Sequence, residues 1–236
     1  MLVCFVGGII QSSCGFGFGL FSVNFFPFLL PVFHQTPALL SLTTIILSAS
    51  ILLSAWPHIQ YRLSLTTVAG FIIPSAAMIW FSVQSADSLL RQLLGGTLIL
   101  LSVYLFIFSD KIRIRPTLLN GIIFGAMAGT LGGLFGIGGP PIIIFMLSAV
   151  GDNKEQYRAS INLYFLLSNI WASSMRAVNG IITLELLGWA GMCAVGIFAG
   201  TAIGNRIFKM LNALAIRRIV YTLMMMSGAV MLFKLG

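Results

Sequence analysis

Two stretches decide the fold: SSCGFGFG (Ser12 to Gly19) and GGLFGIGGPP (Gly132 to Pro141). Each lies inside more than thirty residues of nearly continuous apolar chain, Met1 to Phe33 and Thr117 to Val150. A straight helix of that length would reach ~50 Å, against a hydrocarbon core of ~30 Å. Glycine clusters and a Pro-Pro pair end helices. Each region therefore reads as two short helices joined by irregular backbone, the second pair beginning near Gly19 and Pro140.

The surrounding chain is a membrane sequence. Of 236 residues only 8% are charged, against about 25% in soluble domains. Hydrophobic types make up 58%, and the mean hydropathy is +1.04. No water-soluble globule of this length buries so much apolar side chain. Six further segments read as ordinary spans: Pro37 to Ala55, Ser64 to Val83, Ser88 to Phe108, Gln156 to Met175, Ile182 to Ile203 and Ile219 to Leu235. The opening MLVCFVGGII has no basic n-region and is expected to remain as structure. No polar connector is long enough for a soluble catalytic domain. Cys4, Cys14 and Cys193 lie in apolar stretches without metal-ligand spacing.

The two glycine regions also resemble each other. At an offset of 119, Phe16-Gly17-Phe18-Gly19 falls on Phe135-Gly136-Ile137-Gly138, Ser41 on Ser160 and Ser64 on Thr183. A single polytopic membrane domain, 1–236, is expected, with repeats 1–108 and 117–236.

The net charge is +8. The cations are scattered singly between apolar runs, so they speak of topology rather than nucleic acid. If both broken regions cross fully, Lys and Arg divide almost equally between the two sides. If both are re-entrant, ten gather on one side: Arg62, Lys111, Arg113, Arg115, Lys154, Arg158, Arg206, Lys209, Arg217 and Arg218. Three remain on the other: Arg91, Arg176 and Lys234. That asymmetry favours an all-α integral membrane protein with six full transmembrane helices and two re-entrant hairpins. Three crossings per half make the halves inverted repeats, as in many secondary transporters.

Irregular backbone inside a bilayer survives only where protein or a cavity covers it. Two such breaks at equivalent points of inverted halves should meet, and helix N-termini there offer amide hydrogens to an anion. The candidate binding residues are Gln11, Ser12, Ser13, Gly15, Gly17, Gly19 and Asn24 around the first break. Thr130, Gly132, Gly133, Gly136, Gly138, Gly139 and Pro140 surround the second. Thr43, Asn162 and Asn169 within spans could face inward, and Arg158 and Arg176 stand at opposite ends of one span. Two glycine series at every fourth residue, Gly121 to Gly133 and Gly196 to Gly204, read instead as close helix contacts. All five acids fall in or beside loops. A buried proton relay, a cation substrate, a catalytic constellation, a metal site and a cofactor are therefore not expected.

GFGFG with the following Pro27, GGLFGIGGPP, YRASINLYF (Tyr157 to Phe165) and GNRIF (Gly204 to Phe208) resemble the TauE/SafE family of membrane permeases. The resemblance covers nearly the whole chain. It implies a bacterial-type transporter of the inner membrane that exports sulfite, sulfoacetate or related small organic anions. The first motif departs from the more usual three consecutive glycines, having Phe18 and Leu20 within the run. Closer backbone approach is expected in the second half. The residues and the resemblance together point to alternating-access export of a small anion; an anion channel and a non-transporting membrane subunit are the alternatives. The expected partners are the anion and the lipid bilayer, with a homodimer left open and no nucleic acid.

Overall fold

A computed structural model describes residues 1–30, 32–108, 114–151, 153–212, 215 and 222. The predicted span Ile219 to Leu235 lies outside these residues apart from Thr222, as do Lys111, Arg113, Arg217, Arg218 and Lys234. The described residues are helical, with no strand among them. In chain order the helices are α1 (Leu2–Cys14), α2 (Phe18–Ser22), α3 (Phe26–Leu29), α4 (Gln35–Ala55), α5 (Tyr61–Gln84), α6 (Asp87–Phe108), α7 (Leu118–Phe135), α8 (Gly139–Val150), α9 (Lys154–Val178) and α10 (Leu184–Met210). Five predicted spans fall on α4, α5, α6, α9 and α10; the first four agree within about three residues, and α10 runs seven residues beyond Ile203.

Local chemistry sets the helix starts. Thr117, Asn153 and Thr183 accept hydrogen bonds from the backbone N–H groups of Asn120, Gln156 and Leu186, capping α7, α9 and α10. Asp87 opens α6 and accepts from the Phe33 N–H at 2.9 Å. At the other end of α10, Lys154 Nζ donates to the Phe208 and Leu211 carbonyls (3.2 and 2.7 Å), a cation on a helix C-terminus.

Both long apolar regions break where the glycines predict. Gly15 ends α1 and Gly136 ends α7, each in the left-handed conformation (φ 77° and 74°) that glycine adopts without penalty. The helices resume at Phe18 and Gly139. Gly15 and Gly136 thus hold the same place at the ends of α1 and α7, and Gly17 and Gly138 the same place before α2 and α8. These pairs are 121 residues apart, whereas the sequence pairing at 119 sets Gly17 on Gly136; the Phe-Gly alternation fits either register. The halves also differ in length. Helix α2 stops after five residues, and Pro27 opens a separate short α3. Helix α8 continues for 12 residues.

Among the described residues, four helical stretches are long and apolar enough to cross a bilayer: Gln35–His58, Tyr61–Gln84, Leu118–Phe135 and Leu184–Met210. The chain is a multi-pass membrane protein. One of the four is α7, the leading arm of the second broken region; at 18 residues it is ~27 Å long. Helix α1, with 13 residues, reaches only ~20 Å. The central α9 is long enough but carries Lys154, Glu155, Arg158 and Arg176. Its polar residues are largely buried against protein.

The packing is reciprocal between halves. Helices α4 and α9 cross at the centre. Helix α1 of the first half lies on α10 of the second, and α7 of the second on α5 of the first. Both outer seams are made by the glycine series. A methyl group on Gly129 would stand 2.6 Å from the Phe71 carbonyl oxygen, and one on Gly196 would stand 2.7 Å from that of Met1. Gly70 and Gly125 meet the backbones of Ile122 and Thr67 closer still. Backbones in such contact gain dispersion and shed lipid contact, which is how helices associate where no hydrophobic drive exists between them. Gly129→Leu is expected to lower the melting temperature in detergent by several degrees, since overpacking costs about 1–3 kcal/mol. Gly188→Ala, at a position with nothing within 4 Å, is expected to leave it unchanged or raise it. Equal melting temperatures for the Gly129→Leu variant and the wild type would contradict the seam.

Candidate functional site

The two breaks meet. A methyl on Gly19 would lie 3.7 Å from the Gly136 carbonyl oxygen and 3.8 Å from Ile137. One on Gly139 would run into the Phe16 ring at 2.6 Å. Between them lies a small cavity of about 30 Å³, lined from α1 by Gln11, from the first break by Phe16, Gly19 and Leu20, and from the second by Gly132, Gly136, Ile137, Gly138, Gly139 and Pro140. The central helices add Thr44, Tyr164, Phe165, Ser168 and Asn169, and α5 adds Phe71. Phe16 stacks on Phe165 (6.5 Å between ring centroids), and Phe71 meets Tyr164 edge-on (5.9 Å). One side of the cavity is thus peptide backbone and the other an aromatic wall.

Eight of the residues singled out in the sequence line this cavity: Gln11, Gly19, Gly132, Gly136, Gly138, Gly139, Pro140 and Asn169. The helix-terminus chemistry differs from the simple expectation. Pro140 and Pro141 occupy the first turn of α8 and carry no N–H. Amide donors at that end can come only from Gly139 and the break before it. At the first break, α2 is too short to supply much dipole.

The other candidates serve elsewhere. Asn162 is a brace: its Oδ1 accepts from Gln11 Nε2 (3.1 Å), and its Nδ2 donates to the carbonyls of Gly15 (3.3 Å) and Arg158 (2.8 Å). Gly15 and Gly17 shape the first break without lining the cavity. Ser12 and Ser13 face α10, where Ser13 Oγ donates to the Gly204 carbonyl. Gly133 packs on Met78 and Ser75 of α5. Asn24 bonds back to Leu20 and Thr43 to Leu39 and Leu40, each within its own local turn. Thr130 bonds to Ala126 and is exposed on the outside of α7.

The two arginines have distinct roles. Arg176 is buried, at 1% exposure. Its guanidinium donates to Ser41 Oγ (2.6 Å) and to the Gly132 and Gly133 carbonyls (2.8 and 3.0 Å). It therefore grips the last turn of α7 just before the break. Its partners in these bonds are all neutral, and the one ion pair among the described residues is the distant His34–Asp87 contact at 3.9 Å. The positive charge stands one carbonyl behind the cavity wall. Arg158 faces away, donating to Asn205 and lying over the Phe208 ring at 4.3 Å from its centroid. It ties the YRASINLYF segment to GNRIF.

Tyr164, Ser168 and Thr44 line the cavity and were not singled out from the sequence. A usable signal existed for Tyr164. Tyrosines of membrane helices belong at the interfaces, and this one stands in the middle of a span.

The sequence profile of the family described as Sulfite exporter TauE/SafE matches residues 1–231. A protein of Cupriavidus necator described as "Probable sulfite/organosulfonate exporter TauE" is 24% identical over 228 residues, covering 94% of this chain and 88% of that protein. No solved structure shows significant similarity to the chain. With nearly every residue matched by the profile, from the first glycine break through α10, the chain belongs to the TauE/SafE family.

Proposed function

We propose that the chain exports a small oxyanion across the inner membrane by alternating access, with sulfite the leading candidate and small sulfonates next. The observation that carries this reading is the juxtaposition of two glycine breaks, one from each half, around a cavity backed by the buried, unneutralised Arg176. A site of positive potential with no facing carboxylate suits an anion and repels a cation. The cavity has room for about two waters, which favours the compact sulfite over a sulfonate bearing a carboxymethyl arm. The reciprocal packing, α1 on α10 and α7 on α5, supports a two-fold relation between halves and hence inverted repeats with six crossings. With the cell interior negative, an outgoing anion gains ~2.3 kcal/mol per charge per 100 mV, so efflux needs no buried proton carrier.

Purified protein in vesicles is expected to show saturable sulfite uptake and counterflow of labelled sulfite. Linear, unsaturable flux without counterflow would replace the carrier with a channel, and no flux of sulfite or small sulfonates would remove the proposal. Gly19→Ala separates site from scaffold, because its methyl finds only ordinary contacts yet enters the cavity. Melting temperature is expected to hold within about 2 °C while sulfite flux falls at least about fivefold. Undiminished flux would take Gly19 out of the pathway.

Arg176→Gln is expected to raise the KM for sulfite about tenfold or more, since it deletes the one buried charge beside the site. Arg176→Lys keeps the charge but cannot reproduce the forked grip on Ser41 and two carbonyls, so an intermediate KM is expected. Equal loss in both variants would assign Arg176 to scaffolding alone.

A further inference from the structure

Among the cavity residues, Tyr164 stands apart. Its side chain is 1% exposed, and its hydroxyl makes no hydrogen bond of normal geometry, with a weak contact to the Ser168 hydroxyl. The neighbouring hydroxyl one turn along α9, Ser168, is directed to the Phe165 carbonyl at 3.4 Å. A buried hydroxyl left without a normal hydrogen bond costs about 1–3 kcal/mol, so such a group is retained for a reason. The ring is held in place by Phe71 edge-on and by Phe165 at 5.5 Å. That packing aims the oxygen at the second break, where a methyl on Gly138 would stand 3.2 Å from it.

We infer that the Tyr164 hydroxyl is the side-chain donor that recognises an oxygen of the transported anion, facing the backbone of the Gly136–Gly139 break across the cavity. The inference rests on the proposed export of a small oxyanion and adds the residue that selects it. A preorganised neutral donor suits this place. It hydrogen-bonds an anion without adding a second buried charge, and the anion takes the hydrogen in place of the weak Ser168 contact. A donor held weakly by the protein and strongly by the anion makes binding, rather than folding, the process that satisfies this group.

The test is Tyr164→Phe in the full-length protein, assayed by sulfite counterflow in vesicles together with thermal melting in detergent. Phenylalanine keeps both ring contacts and removes only the hydroxyl. The expected result is a KM for sulfite raised about tenfold or more, a maximal rate within about threefold of wild type, and a melting temperature equal to or above wild type. A merely structural hydroxyl would lower the melting temperature and leave KM alone, which would overturn the inference. So would wild-type KM in the variant. Absence of sulfite counterflow in the wild type would overturn the export reading itself, and this inference with it.

Discussion

Peptide groups cannot be left bare in hydrocarbon, and everything distinctive in this protein follows from breaking two helices under that constraint. Once α1 stops at Gly15 and α7 at Gly136, carbonyls and amides lose their helical partners and must be covered from outside. The structure covers them with its two most polar devices. Asn162 takes the Gly15 carbonyl, and Arg176 takes those of Gly132 and Gly133. Both come from α9, which explains why the central helix carries residues that would be prohibitive on a lipid-facing one. Helix α4 supplies the matching hydroxyl, Ser41, from the other side.

This division of labour separates support from recognition. The groups with three side-chain hydrogen bonds each, Asn162 and Arg176, hold backbone in place, and Arg158 ties α9 to α10. The cavity is finished by small, sparsely bonded groups: glycine backbone, Asn169, Thr44 and Tyr164. Such an arrangement keeps the shape of the site rigid.

Much of this was legible in the sequence because it concerned glycine, proline and length. The break positions, the five described long helices and both glycine seams follow from backbone geometry, which the sequence displays directly. Other features were hidden for definite reasons. Whether Thr43, Asn24 or Thr130 faces a cavity or bonds its own turn depends on helix rotation, and hydropathy hardly varies around an all-apolar helix. The alternating Phe-Gly run matches the second glycine region in two registers, so the sequence pairs Gly17 with Gly136 where the helix ends pair Gly15 with it. Arg176 could be read as an anion ligand or an anchor; that it clasps α7 depends on a contact with residues 43 and 44 positions away. Tyr164 was overlooked because an aromatic among nineteen phenylalanines reads as filler until its oxygen is located.

The exchange of helices between halves also bears on biogenesis. Helices α1 and α5 are synthesised and inserted long before α10 and α7, against whose glycine tracks they lie. Neither half owns the surface that completes its own outer helix. The nascent first half must therefore wait in the bilayer with its contact faces against lipid, and tertiary structure at both seams is deferred until the second half emerges from the ribosome. Interleaving of this kind binds the two parts of the chain into one obligate body.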